Sequence, residues 1–469
     1  MTDLLALDLV SLALRYGKGS VSPVEVVDAA LTAAEATNPT VNAFSLIDRD
    51  GARAAAKASE KRWRKGKPLS PLDGMPFTVK DNLLWAGKPT RRGSQTTDNA
   101  PAGESAPAVD RLLEAGAIPF AKTTLPEFGW KGLGDSPAHG ATRNPWDTRM
   151  TTGGSSAGAA AAAALGIGAL HLGTDGAGSI RIPGAFSGVF GLKPSYGRVP
   201  AAPASPLAIV SHVGPLARTV ADAALMLTTI ATPDPRDMVA LVTPPQNYLA
   251  GLEIGIKGVR IAWSPRLGYV ERLDPDVEEA CRAALSGFEA AGAIVEDADP
   301  GFADPTDTLR TLWRAGAWAV LRAIPEARWG EVDPGFVSEA EAGRAISGAD
   351  YIAAVTARYG LAATMAAFHT RYDLLVTPTL ATTAFEVNRN TPADGRFGDD
   401  WLSWTPYSYP FNLTWQPAAT VPCGLTAAGL PVGLQIVGPI HRDGAVLRAA
   451  RAFETARPWA KLRGSHVRH

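Results

Sequence analysis

From Gly153 to Ala164 the chain carries no side chain larger than a hydroxymethyl group. A second small-residue cluster, Gly173-Thr174-Asp175-Gly176-Ala177-Gly178-Ser179, follows and runs on into Ile180-Arg181-Ile182-Pro183. Residues this small let main-chain amides approach a ligand and converge on it, as an anion or oxyanion site requires. Tight packing of a helix on a sheet would also use them, but it has no need of the serine and threonine hydroxyls that sit in both clusters. No Gly-Lys-Ser/Thr follows the glycines, so a P-loop is excluded. The stretch Gly154-Ser155-Ser156-Ala157-Gly158 fits GxSxG, which would make Ser156 the nucleophile of an α/β-hydrolase elbow. That elbow needs a buried apolar strand before it, and Asp147–Thr152 reads as polar and not strand-like.

Composition narrows the class. The chain has 469 residues, net charge −1, 46% hydrophobic and 19% charged residues. The length allows two or three domains or one large α/β domain with a substantial core. Near-neutral charge gives no footing for nucleic acid or a membrane surface. The 47 glycines and 37 prolines exceed average usage of about 7% and 5%, without a collagen period. Cys281 and Cys423 are far apart in sequence and make no disulfide framework, which predicts two free buried thiols in a reduced cytoplasm. Met1-Thr2-Asp3 and the leucine-rich stretch after it lack the basic start and cleavage site of a signal peptide. The apolar run Ala157–Leu170 is too short to span a bilayer. Histidines 139, 171, 212, 369, 441, 466 and 469 form no HExxH or helical ligand pair, so neither a metal nor a cofactor is expected.

Helix-like and strand-like segments alternate. Ser22-Pro23-Val24-Glu25 is a capping box opening a helix to about Ala36. Strands are read at Met75–Lys80, Ala117–Ala121, Val259–Trp263, Ile294–Glu296, Asp373–Thr377 and Val432–Val437. Helices are read at Pro107–Ala115, Pro275–Ala291 and Gly444–Ala456. The pattern predicts one large α/β domain over 1–469, with a mixed, mainly parallel sheet covered by helices on both faces. Residues 300–405 mix Pro, Gly, Trp and acidic residues without strong period and are read as a peripheral region that covers a pocket or forms solvated loops.

The run Gly153–Pro183 and its continuation Gly191-Leu192-Lys193-Pro194-Ser195-Tyr196-Gly197-Arg198 resemble the signature of the amidase signature hydrolases. Pro76-Phe77-Thr78-Val79-Lys80-Asp81-Asn82 resembles the segment carrying their catalytic lysine, and the spacings from Lys80 to Ser155 and from Ser155 to Ser179 match. Lys122-Thr123-Thr124-Leu125-Pro126-Glu127-Phe128, Asn144-Pro145-Trp146-Asp147 and Gly429-Leu430-Pro431-Val432-Gly433-Leu434-Gln435 extend the likeness, which weakens over about 300–400.

The resemblance implies Ser179 as nucleophile, Ser155 as bridging serine after a cis Gly154–Ser155 peptide, and Lys80 as base. It implies main-chain donors from Gly176, Ala177, Gly178 and Ser179 for an oxyanion, with Asp175, Arg181 and Ser156 in support. Independently, a serine needs a base, no histidine is recognisably placed, and a lysine serves if burial keeps it neutral. The largely apolar strand ending at Lys80 suits such burial. Ala157 and Ala177 stand where the family usually has Gly, and Thr152 where it often has Pro; a methyl at 177 suits an N–H donor only at negative φ. Gly129 and Trp130 fall where the family lines its acyl site. Trp313, Trp318, Trp401, Trp404 and Trp415 are candidates for an aromatic wall.

The function implied is cofactor-free hydrolysis of a carboxylic amide C–N bond through an acyl-enzyme, extending to aryl amides, anilides, esters or carbamates. The alternative is the A-type component of an aminoacyl-tRNA amidotransferase, which releases ammonia from glutamine beside partner chains. The expected partner is a small-molecule amide, without nucleic acid or membrane, in the cytoplasm; a homodimer stays open.

Overall fold

The computed structural model describes residues 4–242 and 246–463; Met1–Asp3, His466 and His469 lie outside them. Its centre is an eleven-stranded sheet. Starting from one edge, the strands are Phe44–Ile47, Ile118–Thr123, Pro76–Lys80, Leu170–Asp175, His212–Ala217 and Phe190–Lys193. They continue with Ala418–Leu425, Pro431–Val437, Leu374–Pro378, Arg260–Trp263 and Ile294–Asp297. Every residue of Pro76–Lys80, Leu170–Asp175 and Pro431–Val437 is buried, so both faces of the sheet are covered. One continuous apolar core reaches from Leu9 to Trp459.

The sheet is mixed, as expected, but its parallel pairings are confined to two flanks. Pro76–Lys80 runs parallel to both its neighbours, and so does Arg260–Trp263. Between the flanks every pairing from Leu170–Asp175 to Leu374–Pro378 is antiparallel. The parallel pairings expected from helix–strand alternation lie where a helix carries the crossover.

The capping box at Ser22 forms both of its hydrogen bonds, and its helix runs to Val41, past the expected end and through Pro39. The helix read at Pro275–Ala291 is two, Pro275–Ala284 and Ser286–Ala290. Residues 300–405 are more ordered than their composition suggested. They hold the helices Thr306–Leu321, Pro334–Gly343 and Gly348–Phe368 besides the strand Leu374–Pro378. Asp147–Thr151 is a strand after all, paired with Arg143–Asn144 in a small separate hairpin and not in the central sheet. Cys281 and Cys423 are free and buried, yet the fold brings their sulfurs to 3.9 Å. No helix among the described residues is long and apolar enough to cross a membrane.

The helix Ala157–Leu165 is buried at every position. Small residues therefore serve close packing as well as the site. A Cβ on Gly158 would stand 2.0 Å from the Ala43 carbonyl oxygen and 2.7 Å from the Thr124 amide nitrogen. Both are main-chain atoms that cannot turn aside. Gly158→Ala is expected to cost about 1–3 kcal/mol of stability. The check is a lower denaturant midpoint with unchanged slope.

Candidate active site

Lys80 ends a strand hydrogen-bonded on both sides, which places its side chain inside the sheet at 0% exposure. Its Nζ lies 2.7 Å from Ser155 Oγ, 2.9 Å from Thr174 Oγ1 and 3.4 Å from the Thr174 carbonyl. Burial pushes the Lys80 pKa well below its ordinary value, and the Asp175 charge only partly opposes this. Asn82 Nδ2 donates to Thr174 Oγ1 at 3.0 Å, which fixes the threonine hydroxyl beneath the lysine.

Ser155 follows a cis Gly154–Ser155 peptide, as expected. Position 154 admits only glycine, because a Cβ would stand 1.9 Å from the Leu133 carbonyl oxygen. The Ser156 amide donates to the Ser179 carbonyl at 3.0 Å, seating the loop that carries Ser179 against the Ser155 turn. The Ser156 hydroxyl donates to the Thr174 carbonyl at 3.1 Å and accepts from the Thr174 amide at 3.2 Å. It is a buried tie between two loops, unlike the exposed nucleophile that an elbow presents. Ser155 and Ser179 are themselves only 2% and 4% exposed.

The loop between the strand Leu170–Asp175 and the helix Arg181–Phe186 is held by one carboxylate. Asp175 accepts from the amides of Gly178 at 2.7 Å and Ile180 at 3.2 Å. Its partner is Arg181, at 2.9 and 3.0 Å. Burial alone would raise the Asp175 pKa; the Arg181 charge and hydrogen bonds reverse this and hold it well below the usual carboxylate range. Gly178 was expected among the free donors, but its N–H is committed to this brace. The amides of Gly176, Ala177 and Ser179 make no hydrogen bond among the described residues. Ala177 avoids positive φ, the condition its methyl imposed.

Some supporting residues escaped the sequence reading. Arg181 also donates to Gln435 Oε1 at 2.7 Å, to Asn412 Oδ1 at 2.6 Å and to the Ser408 carbonyl at 2.7 Å. Ser408 Oγ donates to the Ala177 carbonyl at 2.6 Å. Gln435 stood in a family-like segment, but nothing there signalled contact with Arg181. His212 lies nearby with Nδ1 2.8 Å from the Val210 carbonyl, and burial lowers its pKa. No group of three His, Cys, Asp or Glu among the described residues could hold a metal.

Of the pocket residues, Gly129 has φ +73°, and a Cβ there would approach Ser155 Oγ to 3.3 Å. Trp130 is buried, and its carbonyl accepts from Trp313 Nε1 at 3.0 Å. A Cβ on Gly176 would meet the Trp313 ring at 3.1 Å, and Trp401 lies 5.9 Å from Trp313, centroid to centroid. Trp313 thus covers the loop at Gly176, with Trp401 beside it. Trp404 stacks on Phe186, Trp415 on Tyr196, and Trp318 meets Trp329, so these three belong to other clusters.

Comparison with known proteins identifies the family. The family model Amidase matches residues 25–447. An acylamidase of Rhodococcus erythropolis is 37% identical, over 97% of this chain and 96% of its own. The A-type component of the glutamyl-tRNA(Gln) amidotransferase of Synechococcus sp. (strain CC9605) is 36% identical over 93% and 94%. The crystal structure of a bacterial aryl acylamidase of the amidase signature family superposes with TM-score 0.92 at 28% identity, over 99% of each chain. The chain belongs to the amidase family, the amidase signature enzymes.

Proposed function

We propose that the protein hydrolyses the C–N bond of carboxylic amides through a seryl acyl-enzyme, with Ser179, Ser155 and Lys80 as its catalytic residues. The observation that carries this is the 2.7 Å contact of a wholly buried Lys80 with Ser155 Oγ. A neutral lysine has a lone pair to accept the Ser155 proton, and Ser155 in turn takes the proton of Ser179. Ser179 Oγ then attacks the amide carbonyl carbon. The oxygen gathers negative charge against the free N–H groups of Gly176, Ala177 and Ser179, which need no rearrangement to receive it. Proton return through Ser155 lets the amine leave, and water opens the acyl-enzyme by the same relay.

The aromatic cover over Gly176 favours an aryl amide or anilide over a small polar amide. Residues 300–405 supply that cover through Trp313 and Trp401. The amidotransferase reading has relatives of nearly equal identity, and a substrate panel separates the two. Anilides are expected to turn over faster than glutamine. Ammonia release from glutamine exceeding anilide cleavage would favour the amidotransferase reading.

Three further outcomes are expected. Ser179→Ala loses about 10³-fold or more of kcat, whereas Ser156→Ala keeps measurable turnover; the reverse order would restore the elbow. Because the neutral form of Lys80 is the active one and burial depresses its pKa, kcat/KM rises from the acid side through that pKa and levels off above it. A pH–rate profile with a strictly acidic optimum contradicts this. Trp313→Ala lowers kcat/KM for an anilide about tenfold more than for acetamide; equal losses would remove Trp313 from the substrate wall.

A further inference from the structure

A cavity of about 540 Å³ lies away from the serine–lysine site, between the helix Gly348–Phe368, the start of the strand Leu374–Pro378 and the first turns of the helix Asp443–Ala456. Its volume falls in the range of small-molecule sites. Ile256, Val259, Met365 and Leu374 give it an apolar lining, and Arg442 and Arg448 bring two guanidinium groups to it.

The charges around the cavity do not cancel those arginines. Asp373, its one carboxylate, accepts the Arg260 amide at 2.8 Å. His369 contributes no charge: its Nδ1, 3.0 Å from the Tyr372 carbonyl, must donate there, which leaves Nε2 to accept from the Gln416 amide at 2.8 Å. Burial lowers the His369 pKa, in keeping with a neutral ring. Asp443 is adjacent in sequence to Arg442 but turns away, accepting from the Ser195 amide and hydroxyl and pairing with Arg198. Neither Arg442 nor Arg448 forms an ion pair or a side-chain hydrogen bond among the described residues, whereas Arg451, in the same helix, pairs with Glu253 and Glu454. Arg442, at the cap just before that helix, and Ala445 and Arg448 within it all line the cavity.

A largely apolar chamber with two guanidinium groups against one carboxylate keeps an excess positive charge, which matches an anion carried on a hydrocarbon body. We propose that this cavity binds an amphiphilic carboxylate of the medium-chain fatty acid class. The chain lies against Ile256, Val259, Met365 and Leu374, and the carboxylate accepts hydrogen bonds from Arg442 and Arg448. The binding step is non-covalent and independent of the amide chemistry.

Decanoate titrated into the full-length protein by calorimetry tests it, with decanol as the uncharged probe of equal length. Saturable decanoate binding is expected, at least tenfold tighter than decanol. R442A/R448A should weaken decanoate at least tenfold while anilide turnover and thermal midpoint stay unchanged, which separates this site from the serine–lysine site. Ala366→Trp, at an exposed position of the lining, should block binding by filling the space. Absent saturable binding to the wild-type protein, equal affinity for decanol, or undiminished decanoate binding by R442A/R448A would each overturn the assignment.

Discussion

Asp175 and Arg181 form an ion pair with both side chains at 0% exposure, and the geometry of the site hangs on it. A pair so deep costs several kcal/mol to desolvate and persists only when the remaining hydrogen-bonding capacity is also filled. Here it is filled from opposite directions. Asp175 spends its oxygens on the amides of Gly178 and Ile180 and on Asn412, while Arg181 reaches Ser408, Asn412 and Gln435 in the last quarter of the chain. The loop carrying Ser179 is therefore shaped by residues remote in sequence. Removing either charge strands the other in a dry interior, so the brace and the loop stand or fall together.

Three buried basic side chains gather around the same carboxylate. Lys80, Arg181 and Lys193 are all wholly buried, and the Asp175 charge acts on each of them. A guanidinium does not release its proton in a protein, so the lysines yield. Lys193 is pushed down by burial and by the Arg181 charge, and Lys80 by burial. Lys193 finds main-chain acceptors at Gln416 and Pro194. Lys80 meets the Ser155 and Thr174 hydroxyls as well as the Thr174 carbonyl, and in the proposed mechanism its neutral nitrogen is the base that a histidine would otherwise supply.

What could be read from the sequence followed the physics of each segment. The capping box at Ser22, the strand Pro76–Lys80 and the Gly116 turn, at φ +85°, carry local signals that need no tertiary help. The central strands Leu170–Asp175, Phe190–Lys193, His212–Ala217 and Ala418–Leu425 went unread. They are buried on both faces and rich in glycine, proline and threonine, so neither alternation nor β-propensity marks them. The helix Gly348–Phe368 was missed because alanine suits either face and blurs the helical period. That Lys80 meets Ser155 and that the Ser179 loop seats against the Ser155 turn was legible only through the family resemblance and its spacings. Asn412, Gln435 and Ser408 were not, since a hydrogen bond closed across more than two hundred residues leaves no local trace.

The surroundings of the two serines and of Gly176 are built from different materials. Around Ser155 and Ser179 the contacts are main chain on main chain. Gly154 faces the Leu133 carbonyl with no room for a methyl, and the Ser156 amide ties its turn to the Ser179 carbonyl. Over Gly176 the contact is a ring, Trp313, held by its indole N–H to the Trp130 carbonyl and flanked by Trp401. A ring can be exchanged or tilted without moving the backbone beneath it; a close main-chain contact cannot be altered without moving both partners. The ring over Gly176 can therefore change through the helix Thr306–Leu321 while the Lys80–Ser155 contact stays fixed.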